Sequence, residues 1–96
     1  MKIKDADIHD HLQARMRQRG ITLDEIQGTL DKGWNAEDVR VGTYGKVYIF
    51  RYGKELEGST YEEKEVTVYY KIKVERMIIL TAKARYGKNF DRGEKR

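Results

Sequence analysis

The sequence predicts an α+β fold in which two N-terminal helices pack on one face of a three- to four-stranded antiparallel sheet. Three observations carry that expectation. Helical spacing and capping residues are confined to the first third of the chain, a period of two replaces them after Val39, and helices grouped before strands stack as one layer on one sheet face. The 96 residues hold no evident repeat or low-complexity stretch, and a chain of that length supports one modest core, so a single domain over residues 1–96 is expected.

The first helix is expected to begin at Asp5 or Asp7, either of which can cap it, and to run to about Arg19. Gly20 then supplies the left-handed residue that commonly closes a helix. Thr22-Leu23-Asp24-Glu25 has the spacing of a capping box, in which the Thr22 hydroxyl accepts from the Glu25 amide and the Glu25 carboxylate accepts from the Thr22 amide. A second helix therefore follows at once. Ile21, Ile26 and Leu30 form its apolar stripe, Lys32 suits the negative end of the dipole, and Gly33 ends it.

Beyond it, Val47, Ile49 and Arg51 alternate with Tyr48, Phe50 and Tyr52 as a strand, with 37–41 a candidate fourth strand. Residues 53–63 are polar and contain Gly53, Gly58 and Ser59, so they read as a long flexible connection. The longest strand signal places Val66, Val68, Tyr70, Ile72 and Val74 on one face and Glu65, Thr67, Tyr69, Lys71 and Lys73 on the other. A turn near Val74-Glu75-Arg76 returns the chain into a final strand, Met77 to Tyr86, with Ile78, Leu80, Ala82 and Ala84 sharing a face. Trp34 reads as a core anchor, and Tyr48, Tyr52, Tyr69 and Tyr70 as cross-strand packing.

The formal net charge of +4 is unevenly distributed. Residues 1–33 carry six basic and six acidic groups, 34–64 carry five and six, and 65–96 carry nine and four, so the excess lies in the last third. There Lys83, Arg85 and Lys88 interleave with Tyr86 and Phe90, a pattern suited to phosphates and stacked bases. The end of the chain, 88–96, reads as a flexible basic tail. With no cysteine and two histidines, His9 and His11, no zinc site is expected, and Glu62, Glu63 and Glu65 lack metal spacing. Neither metal nor cofactor is expected. The N-terminus has no apolar leader core and no segment approaches a membrane span, so a soluble cytoplasmic protein without membrane contact is anticipated.

His11, Arg15 and Arg19 recur every fourth residue, which stacks an imidazole and two guanidiniums along one side of the first helix. Both arginines interleave with the stripe formed by Ile8, Leu12 and Met16. A guanidinium among residues meant for burial must pair, snorkel or line a polar cleft. One reading is a phosphate site; the other is that the arginine stems cover the core and their heads pair with acceptors.

The chain resembles a family of small bacterial and archaeal domains of unknown function grouped with RelE-like toxins in the barnase, EndoU, colicin and RelE superfold. The resemblance rests on His11, Arg15, Met16, Arg19, Gly20, Ile21, Thr22, Asp24, Ile26, Leu30, Gly33 and Ile79-Leu80-Thr81, and covers about residues 8 to 86. It departs from the pattern in the 53–63 insert and in the Ala82 to Lys88 ending.

The resemblance implies a helices-then-sheet order and a metal-independent ribonuclease of the toxin type. Such cleavage needs a base, an acid and cations at the phosphorane. His11 would be base or acid, and Arg15 and Arg19 would hold the phosphate, with Thr81 from the last strand completing the catalytic set. Lys83, Arg85, Tyr86 and Lys88 would contact RNA, and Tyr86 or Tyr70 would stack a base or move the second proton. Two other functions fit the same residues: a non-catalytic RNA-binding module, and an interaction domain whose tyrosine-rich sheet edge meets an antitoxin-like protein partner.

Overall fold

The computed structural model describes residues 10–56, 58–88 and 90, and the side chains of all of these except 10, 11, 54–56 and 59. The proposed helix caps Asp5 and Asp7, and most of the basic tail, lie outside the described residues. Two helices, α1 (Asp10–Arg19) and α2 (Leu23–Lys32), precede four strands, β1 (Trp34–Asn35), β2 (Tyr44–Leu56), β3 (Ser59–Lys73) and β4 (Arg76–Gly87). The strands form an antiparallel meander in the order β1-β2-β3-β4. This is the α+β arrangement expected, with both helices N-terminal to the sheet.

The α1–α2 corner forms as its residues dictate. Gly20 has φ +67°, and the Ile21 and Gly20 amides donate to the Met16 and Arg17 carbonyls at 2.8 and 3.4 Å. That pair of bonds is a Schellman closure. Thr22 then caps α2, exchanging hydrogen bonds of 3.1 and 2.9 Å with Glu25. Ile21 before the cap and Ile26 after it both enter the core, in the manner of a hydrophobic staple. Gly33 closes α2 with φ −72°, not a left-handed value. Glycine is required there for space: a Cβ would lie 2.4 Å from the Thr29 carbonyl oxygen and 2.5 Å from that of Val47.

The core lies between the helices and one sheet face. Leu12, Ile21 and Ile26 from the helical segment pack with Val66, Val68, Ile79 and Ala82 from β3 and β4, and Met16, Leu30, Phe50 and Met77 close around them. Trp34 is half-buried and stands outside this cluster, so it is not the core anchor expected. By alternation, Glu65, Thr67 and Tyr69 point to the opposite, open face.

Three strand expectations are corrected. The fourth strand is Trp34–Asn35, not 37–41, and the chain after it crosses the open face above Gly45, where a Cβ would meet Ala36 at 2.8 Å and Val39 at 3.0 Å. Residues 53–63 are not a long connection: Lys54, Glu55 and Leu56 pair with Tyr61, Thr60 and Ser59, and a bulge between Arg51 and Lys54 contains Gly53 at φ +60°. A ladder held by its backbone in so polar a segment shows no apolar alternation, so its composition resembles a loop. Finally, Tyr69 pairs with Thr81 and Tyr70 with Ile79, which leaves Leu80 as an extra residue. That bulge turns Ile79 into the core while Ile78 and Leu80 are exposed, and Ala82 returns to the core side.

The turn joining β3 to β4 holds Val74 at φ 50° and Glu75 at φ 61°. Positive φ at both central residues is the geometry that Asn-Gly adopts without strain, and a β-branched valine there is strained. Replacing Val74 by Asn and Glu75 by Gly is expected to stabilise the protein by about 1–2 kcal/mol. Thermal unfolding of the double variant, with a rise of several degrees in midpoint, checks this.

Candidate functional site

The sheet divides the residues that the sequence groups into one site. On the helix side, the Arg19 guanidinium donates to the Ala82 carbonyl at 2.6 Å, and the Tyr86 hydroxyl donates to the Arg19 carbonyl at 2.9 Å. Tyr86 also packs edge-on against Tyr52, with ring centroids 5.0 Å apart. Arg19 and Tyr86 thus tie the end of α1 to β4. Arg15 is half-buried on the same helix, and His11 lies in its first turn, with its side chain outside the described residues.

Sequence reasoning missed the residue at the centre of this corner. Lys64 is only 3% exposed, and its ammonium donates to the Glu25 carboxylate at 2.8 Å and to the Gly20 carbonyl. The rings of Tyr86 and Tyr52 lie 5.6 and 5.8 Å from the same nitrogen. The signal was available. Lys64 shares the inward phase of Val66, Val68 and Tyr70, so alternation alone places a lysine on the buried face.

The open face carries a different constellation. Thr67 and Glu65 of β3 pair with Lys83 and Arg85 of β4, and Thr81 pairs with Tyr69 in the same ladder. Glu65, Thr67, Tyr69, Lys83 and Arg85, together with Trp34, Glu37, Asp38 and Val47, line a groove of about 560 Å³, and Thr81 stands outside its lining. That volume falls within the range of clefts that hold small ligands, roughly 300–1,000 Å³. A second cavity of about 540 Å³, lined by Ile49, Arg51, Gly53, Glu62 and Glu63, continues the same face.

Charges in the groove alternate along the ladder. Arg85 lies 3.0 Å from Glu65, Lys83 lies 3.5 Å from Asp38, and the Tyr69 hydroxyl donates to both Asp38 oxygens at 3.1 Å. The Lys83 nitrogen also sits 5.4 Å from the centre of the Tyr69 ring. Phe90 closes one side: its ring lies 4.5 Å from the Arg85 guanidinium carbon, and its amide donates to Glu63 at 2.9 Å. Lys88 is exposed just before it. Of the eight residues expected in the site, Thr81, Lys83 and Arg85 share the open face, whereas Arg19 and Tyr86 are engaged on the helix side.

Tyr69 sets the protonation of its neighbours. Its hydrogen bond is the chief cause that holds the Asp38 carboxyl below the usual carboxylate range; desolvation opposes it, and the Lys83 charge adds to it. The Lys83 ammonium is raised, again chiefly by Tyr69 and then by Asp38 against desolvation. Because the folded Asp38 value is depressed, its contribution to stability is present above the usual carboxylate value and is lost as pH falls through the lowered one. In Tyr69→Phe the Asp38 carboxyl is expected to titrate higher, closer to 3.8. A carboxyl-detected NMR titration reads that shift directly, and an unchanged value contradicts it.

Among the described residues no group of three or more His, Cys, Asp or Glu is placed to hold a metal, and no helix is long and apolar enough to cross a membrane. Residues 8–83 match the model of a family described as a domain of unknown function, DUF4258. The chain belongs to that family. The DUF4258 match takes in both helices, β1 to β3 and β4 as far as Lys83, so the α1–α2 corner and most of the groove are inside it. No curated protein and no solved structure matches the chain.

Proposed function

We propose that this DUF4258 domain acts on RNA through the open face of its sheet, as a metal-independent ribonuclease of the kind that its resemblance to RelE-like toxins implies. One observation carries the reading: carboxylates, cations and a phenol converge in a single groove, with Glu65 3.0 Å from Arg85 and Tyr69 bridging Asp38 and Lys83. Metal-free cleavage of a phosphodiester needs a base for the 2′-hydroxyl, a donor for the departing 5′-oxygen and positive charge at the phosphorane. Glu65 supplies the base, Arg85 and Lys83 the charge, and Tyr69 or Lys83 the proton.

This assignment moves the chemistry from α1 to β3 and β4. Arg19 already serves the Ala82 carbonyl, and the sheet stands between α1 and the groove. A specific feature favours a second reading, a non-catalytic RNA-binding module: Lys83 and Arg85 already face carboxylates within the groove, so phosphates would have to displace Asp38 and Glu65. Binding by such exchange falls steeply with salt.

The test is cleavage of a labelled RNA pool in EDTA by the purified chain. Products are expected, and they are expected to persist in His11→Ala and to vanish in Arg85→Ala at matched folding. Binding that weakens with salt but leaves the RNA intact assigns the binding module instead, and neither cleavage nor binding overturns both.

A further inference from the structure

The segment that joins β1 to β2, residues 36–43, carries two carboxylates across the open face of the sheet. β1 ends after two residues, and the Ala36 amide donates to the Gly45 carbonyl at 2.9 Å as the chain leaves the ladder. Gly45 has no side chain, so Ala36, Val39 and the Tyr69 ring all close over it. Gly42, at φ +87°, and a turn in which the Thr43 amide and hydroxyl donate to the Arg40 carbonyl then return the chain to β2. Among the described residues, the backbone hydrogen bonds of this strap thus stand at its two ends. Side chains hold its middle.

The Asp38 carboxylate is the chief of these. It accepts from the Tyr69 hydroxyl at both oxygens, each at 3.1 Å, and one of them lies 3.5 Å from the Lys83 nitrogen. Tyr69 and Lys83 are set by the ladder, in which Tyr69 opposes Thr81 and Thr67 opposes Lys83, so the two are diagonal neighbours on one face. A phenol donor beside an ammonium suits any anion with two free oxygens. A carboxylate has two, and so has a phosphodiester. The Asp38 side chain is 65% exposed and that of Lys83 52%, and an ion pair so open to water holds weakly.

Charge decides what the strap does to the groove. With Glu37 and Asp38 in place, the lining sets three carboxylates against two cations, a net −1 that repels a polyanion. Without those two, Glu65 faces Lys83 and Arg85 alone and the lining is net +1. We propose that Tyr69 and Lys83 form a phosphate subsite which the protein's own Asp38 occupies at rest, and that segment 36–43 is an acidic strap displaced as a phosphodiester takes its place. This subsite rests on the action on RNA proposed for the groove and adds its regulation: a carboxylate of the same chain closes the groove. Exchange of one oxyanion for another leaves neither donor without a partner.

The experiment measures binding of a labelled, 2′-O-methylated uridine decamer, which cannot be cleaved through its 2′-oxygens, to the full chain. Asp38→Asn with Glu37→Gln is expected to bind it at least about tenfold more tightly than wild type. Glu75→Gln, which removes one exposed carboxylate from the β3–β4 turn, is expected to change affinity by less than about twofold, because charges far from the groove are screened. Adding Lys83→Ala to the strap variant should abolish the gain, since Asp38 then has no cation to release. Amide shifts on binding to wild type should include 37–39 beside Tyr69 and Lys83, with all variants matched by circular dichroism. If wild type binds and the strap variant binds equally or less tightly, the strap is overturned and the action on RNA stands. A gain as large in Glu75→Gln, or one that survives Lys83→Ala, also overturns it, by assigning the effect to net charge. If neither wild type nor variant binds, both fall. The tenfold gain without cleavage of unmethylated RNA by either protein supports the subsite and removes the ribonuclease.

Discussion

Replacing Lys64 by alanine is expected to cost the fold about 3–5 kcal/mol, the range for breaking a buried ion pair by removing one partner. The ammonium is 3% exposed and is shared by the Glu25 carboxylate, the Gly20 carbonyl and two tyrosine rings, so its loss leaves a mostly buried carboxylate and a carbonyl without their donor. It also leaves a cavity. A stability that is commonly only about 5–15 kcal/mol in all would be cut by a large share. Urea unfolding of the variant should show a much lower midpoint with a similar slope.

A second substitution separates charge from packing. In Lys64→Met the hydrocarbon stem is retained and the cation is gone, so the remaining cost is chiefly the unpaired Glu25. Adding Glu25→Gln removes that negative charge while keeping a side chain able to complete the capping box with Thr22. The double variant is therefore expected to be more stable than Lys64→Met alone. If it is less stable, the interaction at this corner is not dominated by the buried pair.

The helical third of the fold is legible because its rules are local. A capping box, a left-handed glycine and an apolar stripe each act within one or two turns, and the structure contains all three at Thr22–Glu25, Gly20, and Ile21, Ile26 and Leu30. Strand pairing is non-local, and there the reading fails in specific places. Met77-Ile78-Ile79-Leu80 is apolar in both phases, so alternation cannot reveal that the bulge turns Ile79 inward and leaves Ile78 and Leu80 outside. The polar 53–63 segment hides a ladder for the opposite reason, having almost no apolar residue to alternate.

The candidate site was half legible for the same reason. Arg19 is a cation among apolar residues, and the expectation that such a group finds an acceptor is met by the Ala82 carbonyl, 63 residues away in sequence. Thr81, Lys83 and Arg85 share one face of β4, as alternation along a strand dictates. What sequence could not supply is the side of the sheet on which that face lies, because the choice depends on where α1 packs. Nor could it pair Asp38 with Tyr69 across 31 residues, a contact that depends on the chain crossing above Gly45.

Glu65→Gln is expected to lower the rate of metal-free RNA cleavage by about 10²–10⁴-fold, the usual contribution of a positioned general base. The amide keeps the size of the carboxylate and its hydrogen-bonding oxygen toward Arg85, but it cannot take up the 2′-hydroxyl proton. RNA affinity should be retained or rise, because the change removes a negative charge beside Arg85. Lys83→Ala should act differently, weakening binding and reducing the salt slope by about one phosphate contact. Arg19→Ala provides the contrast: it deprives the Ala82 carbonyl of its donor and should lower stability, with cleavage per folded molecule unchanged. The combination of a rate lost without affinity at Glu65, affinity lost at Lys83 and stability lost at Arg19 would separate chemistry, contact and scaffold on the two faces of one sheet. If Glu65→Gln and wild type cut at equal rates, the groove carboxylate is not the base. If Arg19→Ala abolishes cleavage in a folded protein, the chemistry belongs to α1.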